Sequence, residues 1–394
     1  MRSRPVDRHQ AAAAAALLSI AVAAPAAAQQ ASLIYRLGKD TVAVETWTRT
    51  GNTVSGEMTQ RSGAAVQRVQ YTLTLGRDGR LARATFVRRQ QDGTVAAGQP
   101  NEFRLAFGAD SAVRELAFAD STPRRAFAAR GATAAFPVFV YGPFELLAAQ
   151  RRAGGRTDSL PTVGAAGGVG FVGLEAMPSS GTGSVYRLRG QPYAMLLTFD
   201  ARDRLLSTDG SFTTNKAIGT RVDGAIDVAA LAKGWRPTGV LSARADVRAA
   251  FGPGGMVVVD YGRPQVRERT VWGGTLVPLD SVWRAGANDA THLFTTRSLT
   301  FGGTTLPAGS YTLWVQHTAA GTFLIVNRQV GQWGTQYDAQ FDAARVPMEL
   351  GPTAEHVEEF TITVRATGPA AGRLEMAWAD KVASVGFTVS SQRP

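Results

Sequence analysis

The chain has 394 residues with 42 Lys plus Arg against 31 Asp plus Glu, and no cysteine. That length accommodates two domains of ordinary size, each with its own core. The missing cysteine excludes disulfides, thiolate metal sites and cysteine nucleophiles.

Arg2, Arg4 and Arg8 precede an apolar run over residues 11–24 that ends in Pro25 and three alanines. This is the plan of a secretory signal peptide over residues 1–28, with cleavage after Ala28, and it predicts a periplasmic or secreted protein. The run of about 14 residues falls short of the roughly 20 that a membrane-spanning helix needs. No later segment is apolar enough to span a bilayer. Ser3 separates Arg2 from Arg4, so no twin-arginine pair exists and general secretion is the expected route.

Residues 29–214 read as a basic antiparallel β domain. Val69, Tyr71, Leu73 and Leu75 alternate with polar residues, as do Phe103, Leu105 and Phe107. Asp78-Gly79 between two such runs predicts a tight hairpin. Pro143 followed by an apolar stretch predicts a short helix, and the Gly- and Ser-rich stretch 154–183 predicts a loop. Residues 215–239 read as a linker with a short helix capped by Asp227.

Residues 240–394 hold several short alternating runs, at 256–261, 299–301, 311–315, 323–325, 360–364, 374–378 and 385–389. With Gly and Pro turns between them, these predict a β-sandwich or jelly roll. The chain is therefore expected to be all-β, with two antiparallel β domains and no βαβ alternation. Residues 29–239 carry 26 basic against 17 acidic side chains, and residues 240–394 carry 13 against 13. Of the 42 basic residues only Lys39, Lys216, Lys233 and Lys381 are lysine. The excess therefore reads as arginine-rich coding spread along strands. A basic half could attract anionic lipid, lipopolysaccharide or polyanionic glycan, but no clustered patch is visible in the sequence, and nucleic acid is not expected as a partner.

Gly168, Gly170 and Gly173 satisfy the dinucleotide pattern G-x-G-x-x-G, but no βαβ unit surrounds them and no helix follows. A serine nucleophile lacks its elbow, and downstream of the leader only His292, His317 and His356 are available as bases. Asp289 and His292 lie three residues apart without a clear third ligand, so no metal site and no cofactor are predicted. The strongest candidate is the loop holding Arg284, Asn288, Asp289 and Thr291 around Gly286. Arg can grip a carboxylate or phosphate, and Asn and Thr can fix hydroxyls. The same residues could instead pin the loop to backbone carbonyls. Five of the seven Trp lie in the second half. Trp314 and Trp378 fall in alternating strands and read as core, whereas Trp333 between Gln332 and Gly334 reads as partly exposed and able to stack on a ligand.

The blocks at 260–264, 273–278, 282–291, 306–311 and 327–337 together resemble the bacterial family known as domain of unknown function 2911. The resemblance covers about residues 240–390. It implies an exported β domain and names no activity. Asp289 stands where that family more often carries Glu, and His292 and His317 lie outside its pattern, which weighs against a metal. The first half loosely resembles the long-stranded β-sheet carriers of periplasmic lipoproteins. The leading expectation is non-catalytic binding of a glycan or other envelope component through Arg284, Asn288, Asp289, Thr291 and Trp333. The alternatives are a hydrolase using Asp289 or Asp260 with His292, with or without a metal, and a lipid carrier built on the first domain.

Overall fold

A computed structural model describes residues 29–391, apart from residues 62, 64, 156, 166, 167, 180, 191–193, 214 and 240. The leader expected at 1–28 lies outside the described residues. Almost all regular structure is β, in two antiparallel sheets over two separate hydrophobic cores. No helix among the described residues is long and apolar enough to cross a membrane.

The first sheet has 15 strands. The strand Gln29–Leu37 lies in its middle. Successive strands run outward from it to Arg124–Ala128 on one side, while Ile218–Asp223 begins the other side, which ends at Thr133–Ala134. The period-two runs give this meander directly, since each strand pairs with the next through a short turn. At the Asp78-Gly79 turn, Gly79 has φ 74° and the Gly76 N–H donates to Arg80 O at 2.8 Å. A parallel pair joins Thr133–Ala134 to Leu160–Val163.

Two boundaries differ from the sequence reading. The stretch 154–183 contains the strands Leu160–Val163 and Val169–Met177. The first three residues of the second strand are exposed, so the alternation that marks a strand is missing there. The glycine pattern at 168–173 thus runs into a strand. The segment 215–239 is also more than a linker: Ile218–Asp223 pairs with both Gln29–Leu37 and Leu205–Phe212, so the first sheet extends to Asp223. The expected helix follows as Val228–Gly234, with the Asp227 carboxylate accepting from the Ala230 N–H at 2.9 Å.

The helix Phe144–Arg152 buries Phe144, Leu146, Leu147 and Ala148 against the first sheet. Its approach depends on Gly142, where an added Cβ would lie 2.6 Å from the Trp47 ring. The Trp47 Nε1–H donates to Glu145 at 3.3 Å, and Arg221 pairs with the same carboxylate at 2.9 Å.

Just before this helix the chain is held by Glu45, a fully buried carboxylate in the strand Asp40–Thr50. It accepts from the Tyr35 and Tyr71 hydroxyls at 2.9 and 2.8 Å, and from the Tyr141 and Gly142 N–H groups at 2.9 and 3.1 Å. Burial pushes its pKa up to about 7, and the four donors oppose that rise. A carboxyl group raised in the folded state binds more protons there than in the unfolded chain between about pH 4.5 and 7. Stability must therefore fall as pH rises through that window.

The second sheet has 10 strands, and its ladder folds back on itself. Asp342–Gly368 pairs with Gly321–Asn327 through its first part and with Ala371–Val389 through the rest. Its register shifts between Pro352 and Thr361. The turnover lays the two halves face to face, as in a sandwich, and the Ile362 N–H donates to the Tyr261 hydroxyl across them at 3.0 Å. Trp283 stacks on Trp378 at 5.5 Å, and Phe360 meets both rings edge-on at 5.0 and 5.5 Å. Trp378 and Trp314 are each 1% exposed, as core residues should be.

Urea unfolding measured from pH 4.5 to 8 should show stability decreasing by about 3 kcal/mol, concentrated below pH 7.5. Glu45→Gln should be less stable at acid pH, because its amide NH2 faces donors, and should lose this component of the slope. A slope unchanged by the substitution would assign the pH dependence to other groups.

Candidate functional site

The two domains meet along polar contacts. Arg267 pairs with Asp40, and Lys39 pairs with Glu268 at 2.7 Å across an exposed gap. The Lys216 ammonium donates to Ser211 O at 2.9 Å within its own domain and to Thr275 O at 3.0 Å in the other. Between these contacts lies a cavity of about 580 Å³. Val138 and Phe139 line it from the first domain, and Leu276, Trp283 and Trp378 from the second.

One wall is the loop that sequence reasoning singled out. Two of its residues have left-handed backbone, Ala285 at φ 46° and Asn288 at φ 63°. The surrounding bonds hold that geometry: Thr291 Oγ1 donates to Ala285 O at 2.7 Å, the Gly334 N–H donates to Asn288 O at 3.0 Å, and Arg284 Nη1 donates to the same carbonyl at 3.3 Å. Gly334 is required here, since a Cβ would sit 2.2 Å from Arg284 Cδ.

The predicted residues divide into two groups. Arg284 and Asn288 line the cavity. Thr291 is fully buried and acts as a brace for the loop. Asp289 and Trp333 form a β-bridge with each other, so Trp333 secures the loop from outside the cavity. The Asp289 side chain is half exposed and 4.0 Å from Arg244 Nη1.

The residues considered for hydrolysis have other engagements. Asp260 and His292 are cross-strand partners, and His292 belongs to the strand Thr291–Thr295. Arg244 grips the Asp260 carboxylate at 2.9 and 3.1 Å. His292 Nε2 accepts from the Gly331 N–H at 3.0 Å, so that nitrogen is not a donor. Among the described residues, no three His, Asp or Glu side chains gather as a metal-holding group.

Sequence reasoning missed Lys216 and Arg269, which also line the cavity. Burial, with the charges of the nearby Arg284 and Arg269, lowers the Lys216 pKa to about 8. Burial likewise lowers Arg269 to about 10, assisted by Arg267 and opposed by the charges of Glu358 and Asp40. The available signal was small: Lys216 is one of four lysines in an arginine-rich chain.

These features define a two-domain antiparallel β protein with a cleft at the domain junction. Residues 242–387, the C-terminal part, match the family described as "Protein of unknown function (DUF2911)". No curated protein matches the chain.

Thr291→Val keeps the side-chain shape but strands the buried Ala285 carbonyl, and should cost about 1–3 kcal/mol in urea unfolding. Asn288→Gly should be close to neutral and Asn288→Ala should cost about 1 kcal/mol, because only the second opposes a left-handed backbone. Equal stability of these two Asn288 variants would contradict the strain assigned to this loop.

Proposed function

We propose that this is an exported, non-catalytic binding protein whose site is the cavity between its domains, with an envelope component such as a glycan as the ligand. The observation that carries this reading is the junction cavity itself, walled by Arg284 and Asn288 on one side and by Val138 and Phe139 on the other. A volume of about 580 Å³ falls within the range usual for small-molecule sites. A polar loop fixed on a rigid β scaffold over aromatic rings is a common way to orient such a ligand. The leader at residues 1–28 supports export.

A second cavity favours a second reading. About 760 Å³ lies between the helix Phe144–Arg152 and the first sheet, lined in part by Leu75, Leu81, Phe136, Leu146 and Leu147. Those walls would suit an acyl chain, as in a lipid carrier.

Native mass spectrometry after incubation with envelope extract tests both readings. Ser242→Trp, at the rim of the junction cavity, should abolish ligand retention, while Ala153→Trp, at the rim of the other, should leave it intact. The opposite pattern supports a lipid carrier. Retention that neither substitution affects, or no retention by the wild type, defeats both.

A further inference from the structure

The junction cavity has a sign as well as a shape. Its lining includes five basic side chains, Arg61, Lys216, Arg267, Arg269 and Arg284, and among the described residues no Asp or Glu. Two of the five have clear local engagements: Arg267 pairs with Asp40, and Arg61 donates to Thr41 O and covers the Trp235 ring. Among the described residues Lys216 and Arg269 pair with no carboxylate and cover no ring, and their hydrogen bonds go to main-chain carbonyls. Lys216 uses Ser211 O and Thr275 O; Arg269 uses Val266 O at 2.9 Å and Gln265 O at 2.7 Å. An ammonium has three donors and a guanidinium five, so both retain N–H groups after these bonds.

Carbonyls orient a cation but carry no full charge to neutralise it. Like charges brought together beside apolar walls repel more strongly than in water, and folding bears that cost. The lowered pKa of Lys216 has Arg284 and Arg269 among its causes, which places their charges close enough to be felt. An arrangement that local energetics disfavour is a marker of a site.

Resting on the proposed site above, we infer that its ligand carries an oxyanion, a phosphate monoester or carboxylate, held between Lys216, Arg269 and Arg284, with an apolar or ring-shaped body lying along Val138 and Phe139. Guanidinium groups match the planar fork of such oxyanions, and the ammonium supplies a point charge beside them. The lining is more apolar than polar, so a free inorganic ion would leave most of it uncovered. An acidic sugar or a short anionic amphiphile would satisfy both parts.

Calorimetric titration with matched probes tests this. Octyl phosphate and glucose 6-phosphate carry the anion on an acyl-like and a sugar body, and octyl glucoside and glucose are their neutral counterparts. At least one phosphate probe should bind, at least about tenfold more tightly than its neutral counterpart, and should weaken as salt rises from about 10 to 150 mM. Which phosphate binds identifies the source as lipid-like or sugar-like. Lys216→Gln should weaken that binding roughly tenfold or more, Lys216→Arg should restore most of it, and Arg77→Gln on an exposed turn should have no effect. Arg269→Gln provides the same comparison if Lys216→Gln fails to fold. The wild-type affinity should also fall above about pH 8 as Lys216 loses its proton, while Arg269, lowered only to about 10, keeps its own. Equal binding of neutral and phosphate probes, blocked by Ser242→Trp, overturns the anion and leaves the cavity as the site. Phosphate binding indifferent to both Ser242→Trp and Lys216→Gln, or no phosphate binding at all, overturns the inference.

Discussion

The buried carboxylate of Glu45 governs how the first domain meets the second. Four donors converge on it, and two are the backbone N–H groups of Tyr141 and Gly142. Those bonds fix the chain that precedes the helix Phe144–Arg152, and so fix Phe139 a few residues earlier. Phe139 has φ 64° and packs its ring 5.0 Å from that of Tyr35, itself a donor to Glu45. Val138 and Phe139 then form the first domain's apolar wall of the junction cavity. A charge buried at a desolvation cost is best explained by the position it enforces, since a hydrophobic group could fill the same volume but could not capture two hydroxyls and two amides at once.

The second domain builds its wall differently. There the constraint is aromatic: Trp283, Trp378 and Phe360 come from three separate strands and meet through the fold-back of Asp342–Gly368. Because Trp283 belongs to the core, the loop that leaves it starts from a fixed point. Thr291 and Gly334 hold its far end, so Arg284 and Asn288 are presented by a segment with little freedom. The glycines and tryptophans of the 282–291 and 327–337 blocks therefore serve the site by immobilising it, and only part of the first block faces the cavity.

Local rules made much of this legible. Period-two alternation gave most strands, Asp78-Gly79 gave a hairpin, Pro143 gave a helix start and Asp227 a helix cap. Failures came where burial was one-sided or incomplete, as in Val169–Met177, whose exposed first three residues erased the alternation. Ile218–Asp223 failed for a related reason: five of its six residues lie outside the core, and its place in the sheet comes from pairing with Gln29–Leu37, nearly 190 residues earlier. The polar loop was legible because its residues are neighbours in the chain. Lys216 and Arg269 were not, because only the docking of two domains brings them beside Arg284.

That same separation explains why total charge misled. The second half is neutral overall, yet it supplies Arg267, Arg269 and Arg284 to the cavity, while the basic first half supplies Arg61 and Lys216. Acidic partners compensate charge elsewhere on the surface, as Asp260 does for Arg244 and Glu175 for Arg187. Screening reduces exposed charges to short-range effects, so the sum over a domain says little about any one place. What matters is whether cations are gathered where water is scarce and carboxylates are not. The domain junction meets that condition, with Lys216 spanning Ser211 O and Thr275 O across it. A ligand neutralising these cations would also relieve repulsion across the junction. On that proposal, ligand occupancy and the association of the two domains would be coupled through the same three side chains.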